Sequence, residues 1–143
     1  MSSALAIAPI TAKLVPFHLR RGFMCKFFGR RRMLRGENST YQWMKRLHRP
    51  YLSAPWNYYE LSNGGFYLAP IMDPVHLDVA DSGYHGTMSS DAAGIVVTLF
   101  VLRDLVNYTR RHPDCETLLD RLHLLRAFAH EHAEADAILA ATD

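Results

Sequence analysis

The sequence predicts an α+β fold, a single domain in which helices precede and follow a four-stranded antiparallel β-meander. Three observations carry that expectation. Alternating apolar residues with turn residues between them run from Trp56 to Met88 without a helical segment, apolar residues at helical spacing lie before and after that stretch, and 143 residues suffice for one core. Parallel topology is disfavoured because nothing helical separates the strands.

Residues 1–18 read as an extended or partly disordered N-terminus and residues 19–143 as the folded domain. Leu19 to Phe28 points Phe23, Phe27 and Phe28 to one side and stops at Gly29, which predicts a short helix. Ser39 has Gln42 three residues on, the reciprocal pair of a capping box, so a second helix is expected from Ser39 to His48, before Pro50. Trp43 and Leu47, with Tyr41 and Met44, form its apolar stripe.

Asn63-Gly64 is a strong hairpin signal, because a type I′ turn needs φ > 0 at both central positions. A two-residue loop there pairs Leu61 with Phe66, Glu60 with Tyr67 and Tyr59 with Leu68. It puts Tyr59, Leu61, Phe66 and Leu68 on one face of the ribbon and Trp56, Tyr58, Glu60 and Tyr67 on the other. Val75, Leu77 and Val79 alternate with polar neighbours in a third strand, and a turn at Ser82-Gly83 pairs Val79 with Gly86 and Leu77 with Met88 in a fourth. Ser89 or Ser90 then caps the most apolar helix, with Asp91 at the positive end of its dipole. Apolar residues from Ile95 to Val106 cover most of that helix, which predicts that it is central and buried, and Gly94 suits close packing there. Asp114 opens a helix with Leu118, Leu122, Leu125 and Ala129 at helical spacing, and Ala133 to Ala141 makes a last short one.

Composition narrows the class. An apolar content of 49% matches a globular chain. The start, MSSALAIAPITAK, has no basic residue before its apolar part and makes a poor signal peptide. The most apolar run, Ala92 to Leu102, falls short of the roughly 20 residues a membrane-spanning helix needs. Cys25 and Cys115 form neither a disulfide framework nor a zinc set, so a reducing cytoplasm is the expected location. The net charge of +2 hides an asymmetry: through Pro50 eleven Lys and Arg face one acid, Glu37, whereas from Tyr51 onward five Arg face thirteen acids. The two halves either present separate charged faces or neutralise each other across the domain.

Motifs for catalysis are absent. There is no Gly-rich phosphate loop, no His-Glu-x-x-His, no Cys-x-x-Cys and no nucleophile elbow, so neither an enzyme nor a cofactor is expected. His130 and His132 diverge by about 200° on a helix, and His76 with His85 lacks a third ligand, which leaves no metal site. Arg30, Arg31, Arg32 and Arg35 form the main electrostatic feature. They either hold phosphates or an acidic protein surface, with Phe27, Phe28 and Trp43 nearby for stacking, or pair with Glu37 and the acidic half as structural salt bridges. Trp56, Tyr58, Glu60 and Tyr67 make a polar and aromatic patch, unless a helix covers that face and the rings are core.

FFGRRRMLRGENSTYQWMKRL (Phe27 to Leu47), WNYYELSNGGFYLAP (Trp56 to Pro70), GYHGTMSSDAAGIVVTLFVLRDL (Gly83 to Leu105) and LLDRLHLLRAFAHEHAEADAILAATD (Leu118 to Asp143) cover nearly everything after Phe27. In that order they resemble segments of the ArdB/KlcA antirestriction family, small proteins of plasmids and other mobile elements. The chain departs from the family at Ser53-Ala54-Pro55, where glycines usually precede the tryptophan, and in an extra arginine within Arg30 to Arg32.

The resemblance implies a non-catalytic protein that protects incoming DNA from type I restriction-modification enzymes. Acidic DNA mimicry is disfavoured, because sixteen basic residues against fourteen acidic ones cannot match the field of DNA, about one charge per 1.7 Å of helix axis. Three routes remain, in order of preference: contact with a restriction subunit away from its DNA channel, weak DNA binding through the arginine segment, and action through another host factor. The expected partner is thus a type I enzyme or an associated host factor, with weak DNA binding left open, no membrane and a monomeric state. Candidate interaction residues are Arg30, Arg31, Arg32, Arg35, Glu37, Trp56, Tyr58, Glu60, Tyr67 and Asp91, with Asn63 and Gly64 as the structural turn. The rivals are a DNA-binding accessory protein acting through Arg30 to Arg35, and a hydrolase whose carboxylate or histidine site lies in a deep polar cleft.

Overall fold

Burial of one helix that is apolar nearly all round sets the architecture. The computed structural model describes residues 8–143. Its elements are β1 (Ala12–Leu14), a 3-10 turn (Phe17–Gly22), α1 (Phe23–Phe28), α2 (Met33–Leu47), β2 (Trp56–Leu61), β3 (Phe66–Pro70), β4 (Val75–Val79), β5 (Tyr84–Met88), α3 (Ser90–Tyr108), α4 (Asp114–Glu131) and α5 (Ala135–Thr142). Residues 1–7 of the expected N-terminal segment lie outside the described residues, and Ala12–Leu14 pairs with β2.

Ser89 caps α3 by accepting from the Ala92 amide at 3.1 Å, and every residue from Ala92 to Leu102 is buried. Val96, Val97, Val101 and Leu102 are wholly enclosed, each contributing about 1.5–3 kcal/mol relative to exposure. The enclosure comes from α2, α4, α5 and β3. Gly94 makes the last contact feasible, since a Cβ there would lie 2.2 Å from the Leu68 carbonyl oxygen. Four residues on, Thr98 accepts from the Leu68 amide at 3.2 Å and donates to the Gly94 carbonyl at 2.8 Å.

That contact corrects the expected meander. The strands form two sheets, β1-β2-β3 and β4-β5, all pairs antiparallel. The outer edge of β3 is occupied by α3, with Thr98 serving the Leu68 amide where a fourth strand would have paired. Pro70 ends β3 and has no amide to offer a neighbour. The β4-β5 ribbon instead packs its apolar side, Val75, Leu77, Val79 and Met88, into the common core.

The β2-β3 hairpin is also one residue out of the expected register. Tyr59 pairs with Tyr67 and Tyr58 with Leu68, around a three-residue loop of Ser62, Asn63 and Gly64. Gly64 has φ +96° while Asn63 keeps negative φ, so the turn is of the type I kind followed by a left-handed glycine, and the type I′ expectation fails. Asn63 finds better partners this way, because its side chain accepts from the Gly65 amide and donates to the Leu124 carbonyl on α4, both at 2.9 Å. A slip of one residue exchanges the faces of the whole pairing. At the β4-β5 turn the slip is two residues, Val79 opposite Tyr84, and the faces survive.

Helix α2 begins at Met33, six residues before the expected cap, so Ser39 lies mid-helix and its capping box is not formed. Tertiary packing outweighs local signals here. Gly36 is buried under the Phe28 ring, where a Cβ would lie 2.5 Å from Cγ, and Thr40 donates to the Gly36 carbonyl at 2.7 Å.

Candidate interaction surface

Gly29, at φ +88°, ends α1 and turns Arg30 to Arg32 into α2. Three of the four arginines then dock on the connection between α3 and α4. Arg32 Nε donates to Asp114 Oδ2 at 3.3 Å, Arg31 Nη1 donates to His112 Nε2 at 2.9 Å, and the Arg35 guanidinium lies 3.8 Å from the centroid of the Tyr108 ring. Thr109 fixes that corner through its hydroxyl, which donates to the Leu105 carbonyl at 2.7 Å.

Arg110 and Arg111 extend from the same corner, and with Arg30, Arg31 and Arg35 they are exposed. Basic residues from both halves of the sequence therefore share one surface, while Arg32 is largely covered and structural, its side chain only 17% exposed. Both readings of the charge asymmetry are realised in part: Arg32 with Asp114 and Lys26 with Glu60 are neutralised pairs across the two halves, whereas Arg30, Arg31 and Arg35 are exposed and, among the described residues, form no ion pair with a carboxylate.

Between α2 and α3, beside this cluster, lies an open groove of about 410 Å³. Arg35, Asn38, Ser39 and Gln42 line one side and Asp104, Leu105 and Tyr108 the other. Asp104 is held by the Trp43 indole, which donates to Oδ2 at 2.8 Å, and by Arg103 at 3.6 Å. Trp43 itself stacks on Phe100 at 4.5 Å, which fixes the indole that holds Asp104. Glu37 belongs elsewhere on α2, accepting from the Tyr41 hydroxyl at 3.2 Å. Burial first and that carboxylate second push the Tyr41 phenol above its ordinary range.

The expected patch of Trp56, Tyr58, Glu60 and Tyr67 does not form, because the register places Tyr67 on the opposite face. Trp56 is buried and donates to the Tyr51 hydroxyl at 3.1 Å. Tyr58 lies under Phe23, ring to ring at 4.8 Å, with the Arg20 guanidinium 4.9 Å from its centroid. Glu60 pairs with Lys26 at 3.2 Å. Helix α1 covers this side through Phe23, Phe27 and Phe28, which meet Phe66.

Tyr67 instead joins Asp91 and His132. Its hydroxyl donates to Asp91 Oδ1 at 2.6 Å, and His132 Nε2 lies 2.8 Å from Oδ2. The Glu134 amide donates to His132 Nδ1 at 2.9 Å, so Nδ1 is the acceptor and Nε2 carries the proton given to Asp91. Burial raises the Asp91 pKa, but the bonds from His132 and Tyr67 outweigh it and hold the carboxyl below its ordinary value. Tyr67 is pushed far up, by burial and then by its bond to Asp91. Glu134 closes the group, accepting from the Ser89 amide at 3.0 Å and from the Ser89 hydroxyl.

Tyr108, Arg110, Arg111 and His132 were not legible as partners of these residues. Arg110-Arg111 stands out as a basic pair after an apolar helix, yet only the packing of α2 against α3 brings it to Arg31 and Arg35, and His132 is 41 residues from Asp91.

The profile of a family described as "Antirestriction protein" matches residues 49–143. Antirestriction protein KlcA of Escherichia coli is 46% identical over 136 residues, 94% of this chain and 96% of that protein. A second E. coli protein of the same name is 46% identical over 139 residues, 95% of each chain. A solved structure 45% identical in sequence aligns with a TM-score of 0.89, covering 96% of this chain and 98% of its own. It comes from work on the KlcA and ArdB proteins describing a novel fold and antirestriction activity against type I DNA restriction systems in vivo but not in vitro.

Proposed function

The chain belongs to the antirestriction protein family, and from that premise we propose that it protects incoming plasmid or mobile-element DNA from host type I restriction-modification enzymes by a non-catalytic route. The observation that supports this most is similarity over nearly the full length to KlcA proteins and to a solved relative active against type I systems in vivo but not in vitro. Among the described residues no helix is long and apolar enough to cross a membrane, and the cytoplasm, where restriction enzymes meet entering DNA, is the expected place of action.

Chemistry at the polar centre is disfavoured by its own bonding. Both nitrogens of His132 are engaged, one with Asp91 and one with the Glu134 amide, which leaves no lone pair free to accept a substrate proton. Acidic mimicry is disfavoured by the charge balance and by the exposed arginines. A relative that acts in cells and not with purified components is best explained by contact with a protein that only the cell supplies, a type I complex in its cellular state or a host factor associated with it. An agent that simply coated DNA would work in both settings.

The test compares plating efficiency of unmodified phage, and transformation by unmodified plasmid, in a type I restricting host with and without the protein. Efficiency should rise towards that of a non-restricting host, with little change against a simple type II nuclease. Equal efficiencies in the type I host, with the protein soluble and abundant, overturn the proposal.

A further inference from the structure

We propose that the groove between α2 and α3, with its arginine rim, is a docking site for an acidic peptide segment of a protein partner. The inference deepens the reading above, on which its biological meaning rests, by naming the surface and the chemistry it recognises. Asn38 and Ser39 sit inside a fifteen-residue helix, where Asn and Ser are poor helix formers because they compete for backbone bonds. Gly36 in the same stretch is explained by the Phe28 ring packed against it. Among the described residues the side chains of Asn38, Ser39 and Gln42 have no hydrogen-bond partner, unlike Thr40 and Tyr41 beside them. Asn38 and Gln42 are exposed and Ser39 half-buried, so their polar groups are open to a partner approaching from solvent.

The chemistry of the groove selects a peptide over a nucleic acid. Asn38, Ser39 and Gln42 each offer both donors and acceptors, and Asp104 adds a fixed carboxylate. A peptide main chain, alternating N–H and C=O, is complementary to such a lining. A phosphodiester backbone carries acceptors only, so the acceptor oxygens of Asn38, Gln42 and Asp104 would find no donor on it. The rim then supplies selection for acidic side chains. Arg35 is oriented by stacking on Tyr108, which is 57% exposed, while Arg31 reaches His112 and Arg111 is exposed in the turn between Tyr108 and His112. Planar guanidinium groups held in this way take carboxylates with two parallel bonds.

The test is fluorescence anisotropy of the full chain with a labelled peptide of about a dozen residues in which Glu alternates with Ala. The Gln-for-Glu peptide, a single-stranded oligothymidylate and a short DNA duplex serve as competitors. Saturable, salt-sensitive binding of the Glu peptide is expected, weakened about tenfold or more by Arg35→Gln with Arg111→Gln. Asn38→Ala with Gln42→Ala should weaken it several-fold at unchanged melting temperature. Absence of binding, stronger binding of either nucleic acid, equal binding of the Gln peptide, or indifference to the groove pair would each overturn the proposal. Protection in cells is a separate readout: a chain that protects but does not bind the peptide refutes the groove assignment alone, and one that binds but does not protect refutes the functional reading.

Discussion

Replacing Gly94 by alanine sets two effects of known size against each other. Inside a helix alanine is favoured over glycine by about 1 kcal/mol, so at an open position Gly94→Ala would raise stability. Here the new Cβ would lie 2.2 Å from the Leu68 oxygen, 2.5 Å from Ala69 Cα and 2.7 Å from Ala69 Cβ, where ordinary contact begins at 3.4 Å. Two of those atoms are backbone and cannot rotate away, so α3 must withdraw from β3 by about 1 Å. Overpacking of this kind costs about 1–3 kcal/mol. The Thr98 bond to the Leu68 amide, already 3.2 Å, would pass out of range and leave a buried donor unpaired, a further cost of about 1–3 kcal/mol. The steric term wins, and a net loss of roughly 2–4 kcal/mol is expected, with a fall in melting temperature on the order of 10 °C. Urea unfolding followed by circular dichroism measures it, with an unchanged m-value as the sign that only stability has moved. Gly22→Ala is the control, since nothing lies within 4 Å of its Cβ. A Gly94→Ala protein that melts at or above the parent temperature would refute the close approach of α3 to β3.

Gly64→Val should destabilise by about 1–3 kcal/mol, through strain at φ +96° rather than through crowding, the nearest atom being Leu124 Cδ1 at 3.8 Å; unchanged melting would place the left-handed residue elsewhere in the loop. The Asp91 carboxyl is held below its ordinary value of 3.8, so its contribution to stability is present above that pH and is lost as pH falls through the lower folded value. Melting of the parent should therefore fall more steeply below about pH 4 than that of Asp91→Asn, which starts lower at neutral pH; parallel acid profiles would dismiss the linkage.

Much of the fold was legible because its signals are local or periodic. The buried α3, its Ser89 cap, the inward Phe23, Phe27 and Phe28, and the alternation of Val75, Leu77 and Val79 all follow from spacing and from one hydrogen bond. The failures are tertiary. Nothing in Phe66 to Pro70 shows that a threonine 30 residues on will bond to the Leu68 amide, so a helix stands where a strand was expected. Nothing near Asn63 shows that Leu124 will claim its side chain, so the loop gains a residue and the faces of Tyr67 and Phe66 exchange. The candidate site divides the same way: the arginine segment is visible as composition, whereas its meeting with Tyr108, Arg110 and Arg111 depends on how α2 lies on α3.

That meeting changes what the charge asymmetry means. A basic first half and an acidic second half suggest cancellation, and cancellation would leave a surface with no preference for a partner. Instead the acidic half contributes Arg110 and Arg111 to the basic end, and of the arginine segment Arg32 is the residue spent on an ion pair, with Asp114. Cations gathered in one compact cluster raise the association rate with an acidic surface, and that gain falls as salt rises. They form a poor track for duplex DNA, whose phosphates recur along an extended axis and whose affinity grows with the number neutralised. A protein whose surface attracts short acidic stretches, with a groove of mixed donors and acceptors beside it, is suited to hold a partner's chain. It is less suited to mask the DNA that the partner cuts.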